Sequence, residues 1–385
     1  MSLKIECIKT DKGFASLKSD WDMLVTSIDD CPLFSSFDWM STWWAVFKNQ
    51  YKRQLYIICA YDGDMLVGIA PFHVVTEHPH YFIMGKTLQF IGNGESDKDT
   101  IISQYNDLII QQGRETEICE LFSDYLHSHK QDWDIADFPF LLKDALIHCC
   151  FANNRSWLHG GKTLHGYRYA IPKVANLEAY INTLKKRWRK MYAKKNRLLE
   201  RDGVVTIIST ESAESVDDAL KLLAAMHRER WAEKLDQTVF ESERFYRFHS
   251  DILHTLVPQG KAYIKTLYLD KQALASYYCF TDKGNIYYYQ SGFYAKYANR
   301  YSPLFLLVCK EIGLACEQNQ LFDFMYSEEE NAYKQVQYAA QPDPMYRLLV
   351  SQSKWRIDWF NRLKKVKQLY DRFCDVMALP WHKNK

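Results

Sequence analysis

Residues 321–335 read LFDFMYSEEENAYKQ: an apolar run with one aspartate, then three glutamates, then a lysine. Alternate side chains of a strand point to opposite faces, so Asp323 should face away from Phe322 and Phe324. A carboxylate buried in such a strand is costly unless it is neutralised. Lys334, Lys190, Lys194 and Arg230 are the candidate partners. Burial near like charge raises a carboxylate's pKa toward the operating pH, as a general base requires. Asp323 and the Glu328, Glu329 and Glu330 cluster are therefore candidate bases, with Lys334 just behind them. The glutamates also fit a solvated turn leading into a helix, whose N-terminus favours negative charge.

Two further segments carry charge in a pattern. In 287–313, the run YYYQSGF gives way to YAKYANRY and a helix start at Ser302-Pro303. Serine is a good N-cap and proline suits the first helical turn. Such a start presents N–H groups and a positive dipole end to an anion. Lys296 and Arg300 stand in the same loop and would add charge. An ordinary capped helix would read the same way. Residues 177–203 predict one long helix that stops at Gly203. Leu184, Trp188, Met191, Tyr192, Leu198 and Leu199 mark one face, and Lys185, Lys186, Arg187, Arg189, Lys190, Lys194, Lys195, Arg197 and Arg201 crowd the rest. A basic amphipathic helix of this kind suits an anionic acceptor, a tRNA or an acidic membrane surface. It equally suits a bridge between domains with a solvated basic face.

Other chemistries lack their patterns. His73, His78, His80, His127 and His129 show no HExxH, and HCC at 148–150 is too compact for a zinc site, so no metal is expected. There is no G-x-S-x-G elbow and no Walker or dinucleotide glycine pattern. Cys279 and Cys309 sit in apolar strand and helix patterns and read as core.

These residues need elements to hold them. The spacing predicts a helix over 14–28 and a second one capped by Ser36 or Asp38, with Trp39, Trp43 and Phe47 on one face. The strongest hairpin signal is RQLYIICAYDGDMLVGIAPFHVVT, two β-rich runs around Asp62-Gly63. Strands follow at 86–93, 132–140 and 161–172, with a helix over 113–130. The second half predicts a strand at 204–210, helices at 216–234 and 242–257, and three antiparallel strands at 261–270, 272–281 and 284–293. A helix at 303–319, the strand 321–325, a last strand at PMYRLLVS and a basic helical tail over 354–376 complete the chain. Both halves run helices, hairpin, strand, which suggests a duplicated α+β fold. We divide it as 1–172, 173–350 and a tail 351–385.

The chain has 385 residues, more than the ~250–300 at which single cores stop growing. Its 47% hydrophobic and 25% charged content is that of an ordinary globular protein, so disorder is not the default. A net charge of +2 gives no global field toward DNA or membrane, so any basic site is local. Ten cysteines without a CxxC fit a reduced, cytoplasmic setting, and no apolar run reaches a signal core or the ~18 residues of a membrane span.

The order strand, loop, helix, strand resembles the central motif of the GNAT acyltransferase superfamily. More closely, YSPLFLLVCKEIGLACEQNQLFDFMYSEEENAYKQ is similar to the C-terminal motif of the CelD-like acyltransferases and their FemAB-like relatives. FSSFDWMSTWWAVF, GDMLVGIAPF, LQFIGNGESD, LKKRWRKMYAKKNRLLERDG and HRERW extend the resemblance over about residues 20–340. The sequence departs from the pattern at Leu304, where a small residue is usual, and in YAKYANRY, which lacks the glycines of the GNAT loop. The resemblance implies two tandem GNAT-like domains with mixed, mostly antiparallel sheets. It implies direct transfer of an acyl group from acetyl-CoA or another acyl-CoA to an amine or hydroxyl. The acceptor would be a small molecule or a nucleotide- or lipid-linked sugar, as in envelope polysaccharide synthesis. FemAB-like relatives use aminoacyl-tRNA, so charged tRNA is the alternative donor, and a non-enzymatic module that binds a partner or the membrane periphery is another. Carried onto this chain, Gln290, Ser291, Arg300, Tyr301 and Ser302 would contact the donor. Trp39, Arg187, Lys190, Arg230, Tyr289 and Tyr333 would contact the acceptor. Asp323, Glu328 and Glu330 would act as bases, and Lys334 would stabilise an oxyanion or a phosphate.

Overall fold

A computed structural model describes residues 3–77, 85–152, 157–231, 238–328 and 333–363. The first half runs β1 (Lys4–Ile8), α1 (Asp11–Ser16), α2 (Lys18–Thr26), α3 (Phe37–Phe47), β2 (Arg53–Asp62), β3 (Met65–Val75), β4 (Thr87–Phe90), β5 (Ile109–Ile110), α4 (Glu115–Ser128), β6 (Ile135–Leu141), α5 (Ile147–Ala152) and β7 (His159–Ala170). The predicted helix at 14–28 is two helices that meet at Leu17, a buried residue. Ser36 caps α3 by accepting from the Trp39 N–H at 3.3 Å, and Trp39, Trp43 and Phe47 are all fully buried. The β2–β3 hairpin turns at Gly63, whose φ of 60° is the left-handed value such turns require.

The second half runs α6 (Leu177–Thr183), α7 (Lys186–Asp202), β8 (Val205–Ser209), α8 (Val216–Trp231), α9 (Glu243–Leu256), β9 (Ala262–Leu269), β10 (Gln272–Asp282), β11 (Asn285–Phe293), α10 (Ala295–Tyr301), α11 (Pro303–Glu317), β12 (Leu321–Ser327), α12 (Tyr333–Tyr338) and β13 (Gln341–Ser351). A final helix covers 354–363, and the rest of the predicted tail lies outside the described residues. Two expectations change here. The predicted single helix over 177–203 breaks where Leu184 and Lys185 turn extended, which lets Leu184 bury in the core beside Tyr180. The predicted loop before Pro303 is instead the short helix α10.

The strands form one mixed α+β sheet in the order β1-β2-β3-β4-β6-β13-β7-β12-β11-β10-β9-β8, with β5 on β3. Matching β1, β2, β3, β4, β6 and β7 to β8, β9, β10, β11, β12 and β13 turns this order into its own reverse. The fold is thus a duplication with an approximate two-fold axis. Each half has one parallel pair, β4–β6 and β11–β12. Each half also lends its last strand to the other: β13 lies between β6 and β7, and β7 lies between β13 and β12. On one face α2 and α3 pack with α8 and α9 in a core common to both halves, where Trp39 meets Phe248 and Phe280. The outer face is divided, with α4 and α5 over the first half and α6, α7 and α11 over the second.

Residues 1–172 expressed alone would leave both β6 and β7 without β13. We expect neither that fragment nor residues 173–385 to melt cooperatively alone. A sharp, near-native transition for either fragment would contradict this interdependence.

Candidate functional site

β11 and β12 pair in parallel only where Asn285–Tyr287 meet Leu321–Asp323. Beyond that they part, and Met325 takes a left-handed φ of 61°, which is uncommon for a residue with a side chain. A cavity of about 790 Å³ opens in the gap. Its walls are Tyr288–Ser291 of β11, Phe324–Tyr326 of β12, His227 and Arg230 of α8, the first turn of α11, and Tyr333 and Lys334 of α12. The first half parts in the same way, with Phe140 at φ 58° in the place of Met325. There the gap is filled: the Tyr105 N–H donates to the Phe140 carbonyl at 3.2 Å. The same filling segment reaches across, so Thr100, Ile102 and Gln104 line the second-half cavity. The Gln104 side-chain oxygen accepts from the Tyr326 N–H at 2.9 Å.

Lys334 is buried at the end of this gap. Its Nζ donates to the carbonyls of Phe324, Met325 and Tyr326 at 2.8, 3.1 and 2.7 Å. Three ammonium protons thus meet three carbonyls, and the side chain stands where a neighbouring strand would have paired with β12. Burial pushes its pKa down to about 8, with Asp323 opposing the shift.

Asp323 is 1% exposed and does not line the cavity. It accepts from the Tyr105 hydroxyl at 2.9 Å and the Met325 N–H at 2.6 Å. Its nearest cation is Arg168 of β7, at 3.9 Å, which also pairs with Asp343 at 3.0 Å. The expected partners Lys190 and Lys194 are exposed on α7, and Arg230 faces the cavity, so none of these neutralises Asp323. Lys334 acts on it only through space. The carboxyl's pKa is raised by burial against the pull of Arg168.

Arg230 is the cation best placed toward the open space. Its Nη1 donates to Ser291 Oγ at 2.9 Å, and its guanidinium lies 5.1 Å from the Trp231 ring and 5.6 Å from that of Phe293. One turn earlier, His227 is 5% exposed, and its Nδ1 is buried without a hydrogen-bond partner. The Tyr289 hydroxyl is buried and unpartnered in the same cavity. α8 approaches β11 so closely that a Cβ on Gly292 would fall 2.3 Å from the His227 backbone nitrogen. The described side chains that line the cavity thus include two cations and a buried imidazole, but no carboxylate. Such a lining suits a ligand that carries negative charge.

The remaining expected residues fall elsewhere or at the margin. Gln290, Ser291, Tyr289 and Ser302 line the cavity, and Tyr333 stands at its edge, 49% exposed. Ser302 is left-handed at φ 50° and does not cap α11; its hydroxyl reaches back to the Ala298 carbonyl at 3.4 Å. Arg300 and Tyr301 both turn to Asp202, at 3.1 and 3.0 Å, and their hydrogen bonds, Arg300's foremost, hold that carboxyl down to about 2. Trp39 is fully buried and donates to Ser103 Oγ at 2.9 Å. Arg187 and Lys190 are exposed on α7, and Glu328 is exposed just past β12. Glu329 and Glu330 lie outside the described residues. Sequence reasoning missed His227, Gln104, Tyr105 and Arg168. The first had a usable signal, since it stands one helical turn before Arg230 in HRERW.

His227 carries a pH prediction. Burial, then Arg230, push its pKa down to about 4 from an ordinary 6.5. The unfolded chain therefore takes up a proton that the folded chain refuses. This stability is present above pH 6.5 and is lost as the pH falls toward 4, on the order of 3 kcal/mol. Denaturant unfolding across that range should show a steeper acid loss in the wild type than in His227→Gln. Identical slopes would contradict a neutral, buried His227.

Residues 186–335 match the family described as Acetyltransferase (GNAT) domain. No curated protein matches the sequence. Among solved structures, FemX is similar with a TM-score of 0.58 at 12% identity, over 86% of this chain and 95% of that one. A conserved protein of unknown function from Bacteroides thetaiotaomicron VPI-5482 has a TM-score of 0.54 at 9% identity, over 90% and 99%. The C-terminal domain of a putative lysylphosphatidylglycerol synthetase from Agrobacterium fabrum has a TM-score of 0.51 at 13% identity, over 88% and 93%. At these identities the likeness is one of fold. The matched family region contains β11, β12, α8, α11 and Lys334, the elements that build the cavity. That match gives residues 186–335 a GNAT acetyltransferase domain, and the chain as a whole shares its architecture with FemX.

Proposed function

We propose that this chain moves an acyl group, acetyl in the simplest case, from a coenzyme A thioester to an amine or hydroxyl. The acceptor is a small or sugar-type molecule, of the nucleotide- or lipid-linked kind. The observation that carries the reading is the cavity at the parting of β11 and β12, lined mostly by residues of the region matched to the GNAT acetyltransferase domain. The acceptor's nitrogen or oxygen attacks the acyl carbon, and the thiolate leaves with the pair of electrons of the broken C–S bond. In this reading Arg230 holds an anionic group of donor or acceptor, and its ring neighbours limit competition from water. His227, neutral and unpaired at Nδ1, is the imidazole of the described lining and would serve as the base. Lys334 is a positioning residue: its protons are engaged by backbone carbonyls, so it shapes the wall and lends positive potential. Asp323, outside the cavity, balances that charge.

A second reading takes charged tRNA as the donor. It is favoured by the helix α10, which occupies the place expected for a diphosphate-binding loop, and by Arg300, whose guanidinium is engaged with Asp202. Pro303 removes one N–H from the start of α11 as well. The exposed cations of α7 pack directly beside α10, with Lys195 on the Arg300 carbonyl at 2.7 Å.

Thermal unfolding with millimolar acetyl-CoA or free CoA separates the two. A ligand at 100 times its Kd adds about 2.7 kcal/mol to the native state, a rise of a few degrees in Tm. We expect that rise with both ligands. No rise, together with a salt-sensitive gel shift of charged tRNA, would replace the first reading by the second. Arg230→Ala should lower kcat/KM by about tenfold to a hundredfold while Tm stays near wild type. Unchanged kinetics would remove Arg230 from the site.

A further inference from the structure

The helix over 354–363 has two unlike faces. Ile357 and Phe360 pack with Ile135 and Leu349, and Arg356 reaches Asp134 at 3.3 Å, so one face is fixed to the sheet. On the other, Trp355, Trp359 and Leu363 are 55%, 40% and 36% exposed. Steps of four residues line them up along a single stripe. Lone exposed apolar residues need no explanation, but two tryptophans and a leucine in register form a patch that water disfavours.

The charges around the stripe say what would cover it. Lys354 and Arg362 are exposed on the same helix, and the sequence continues with Lys364, Lys365 and Lys367. Asp358 is the one acidic residue from 354 to 367. A second copy of the chain would bring two such basic surfaces together, which costs free energy. An anionic lipid surface accepts both features. Tryptophan settles at the headgroup level of a bilayer, and lysine and arginine beside it meet lipid phosphates. No helix among the described residues is long and apolar enough to cross a membrane, so such contact is peripheral.

We infer that this helix docks the chain on an anionic membrane surface. Trp355, Trp359 and Leu363 enter the interface, and Lys354 and Arg362 lie over the lipid phosphates. The site is built independently of the catalytic cavity and would bring the enzyme to a surface without entering the reaction.

The test is co-sedimentation of the full chain with phosphatidylcholine vesicles, with and without added phosphatidylglycerol. The wild type should sediment with the anionic vesicles, and added salt should release it. Trp355→Ala with Trp359→Ala should weaken partitioning by about tenfold or more, with an unchanged Tm. Lys354→Glu with Arg362→Glu should abolish the preference for phosphatidylglycerol. Failure of the wild type to sediment, or full binding by the tryptophan variant, would overturn the inference. A wild-type dimer in light scattering that the tryptophan variant splits would assign the stripe to a second copy and overturn it too.

Discussion

The reciprocal exchange of last strands is the constraint on which the molecule depends. β13 runs antiparallel to β7 from Gln341 opposite Ala170 to Ser351 opposite His159. The same β7 continues onto β12 through Tyr326 opposite Arg168 and Ser327 opposite Tyr167. One strand of the first half thereby borders β12, whose residues Phe324–Tyr326 wall the second-half cavity. It also delivers Arg168 to Asp323, so the charge balance behind the site depends on strand register. A slip of one residue would turn every β7 side chain to the opposite face and send Arg168 away from the carboxylate.

Duplication made two similar gaps, and only one is open. In each, a residue with a side chain holds a left-handed backbone, Phe140 in one and Met325 in the other. Such conformations cost on the order of 1–3 kcal/mol and persist where surrounding contacts insist on them. At Phe140 the insistence comes from the backbone of Tyr105; at Met325 it comes from Lys334 and Asp323. The segment that closes the first gap supplies Gln104 and Ile102 to the second. The first half has become a wall of the other's site.

Much of the scaffold was legible because it is local. The Asp62-Gly63 turn, the Ser36 cap and the Trp39, Trp43 and Phe47 face follow from residues within a few positions of one another. The GNAT-like order of the second half was legible in the segment from Tyr301 to Gln335. What stayed hidden is long-range. Tyr105 stands 218 positions from Asp323, and nothing near it marks it as a partner. The split of 177–203 depended on a burial preference of Leu184 that helical spacing does not record, and the helix α10 filled a stretch whose residues read equally well as loop. For Lys334 the residue was visible but its work was not, since carbonyls left free by parted strands appear only in three dimensions.

The strand exchange also bears on synthesis. β6 ends at Leu141 and its partner begins at Gln341, about 200 residues later. At ribosomal rates of about 5–20 residues per second, that edge waits roughly ten to forty seconds before its partner emerges. Unpaired edges recruit other chains. The nascent protein therefore passes through a period in which an interrupted translation product is not half an enzyme but an aggregation template, and chaperone cover over the first half should matter most before the last strand emerges.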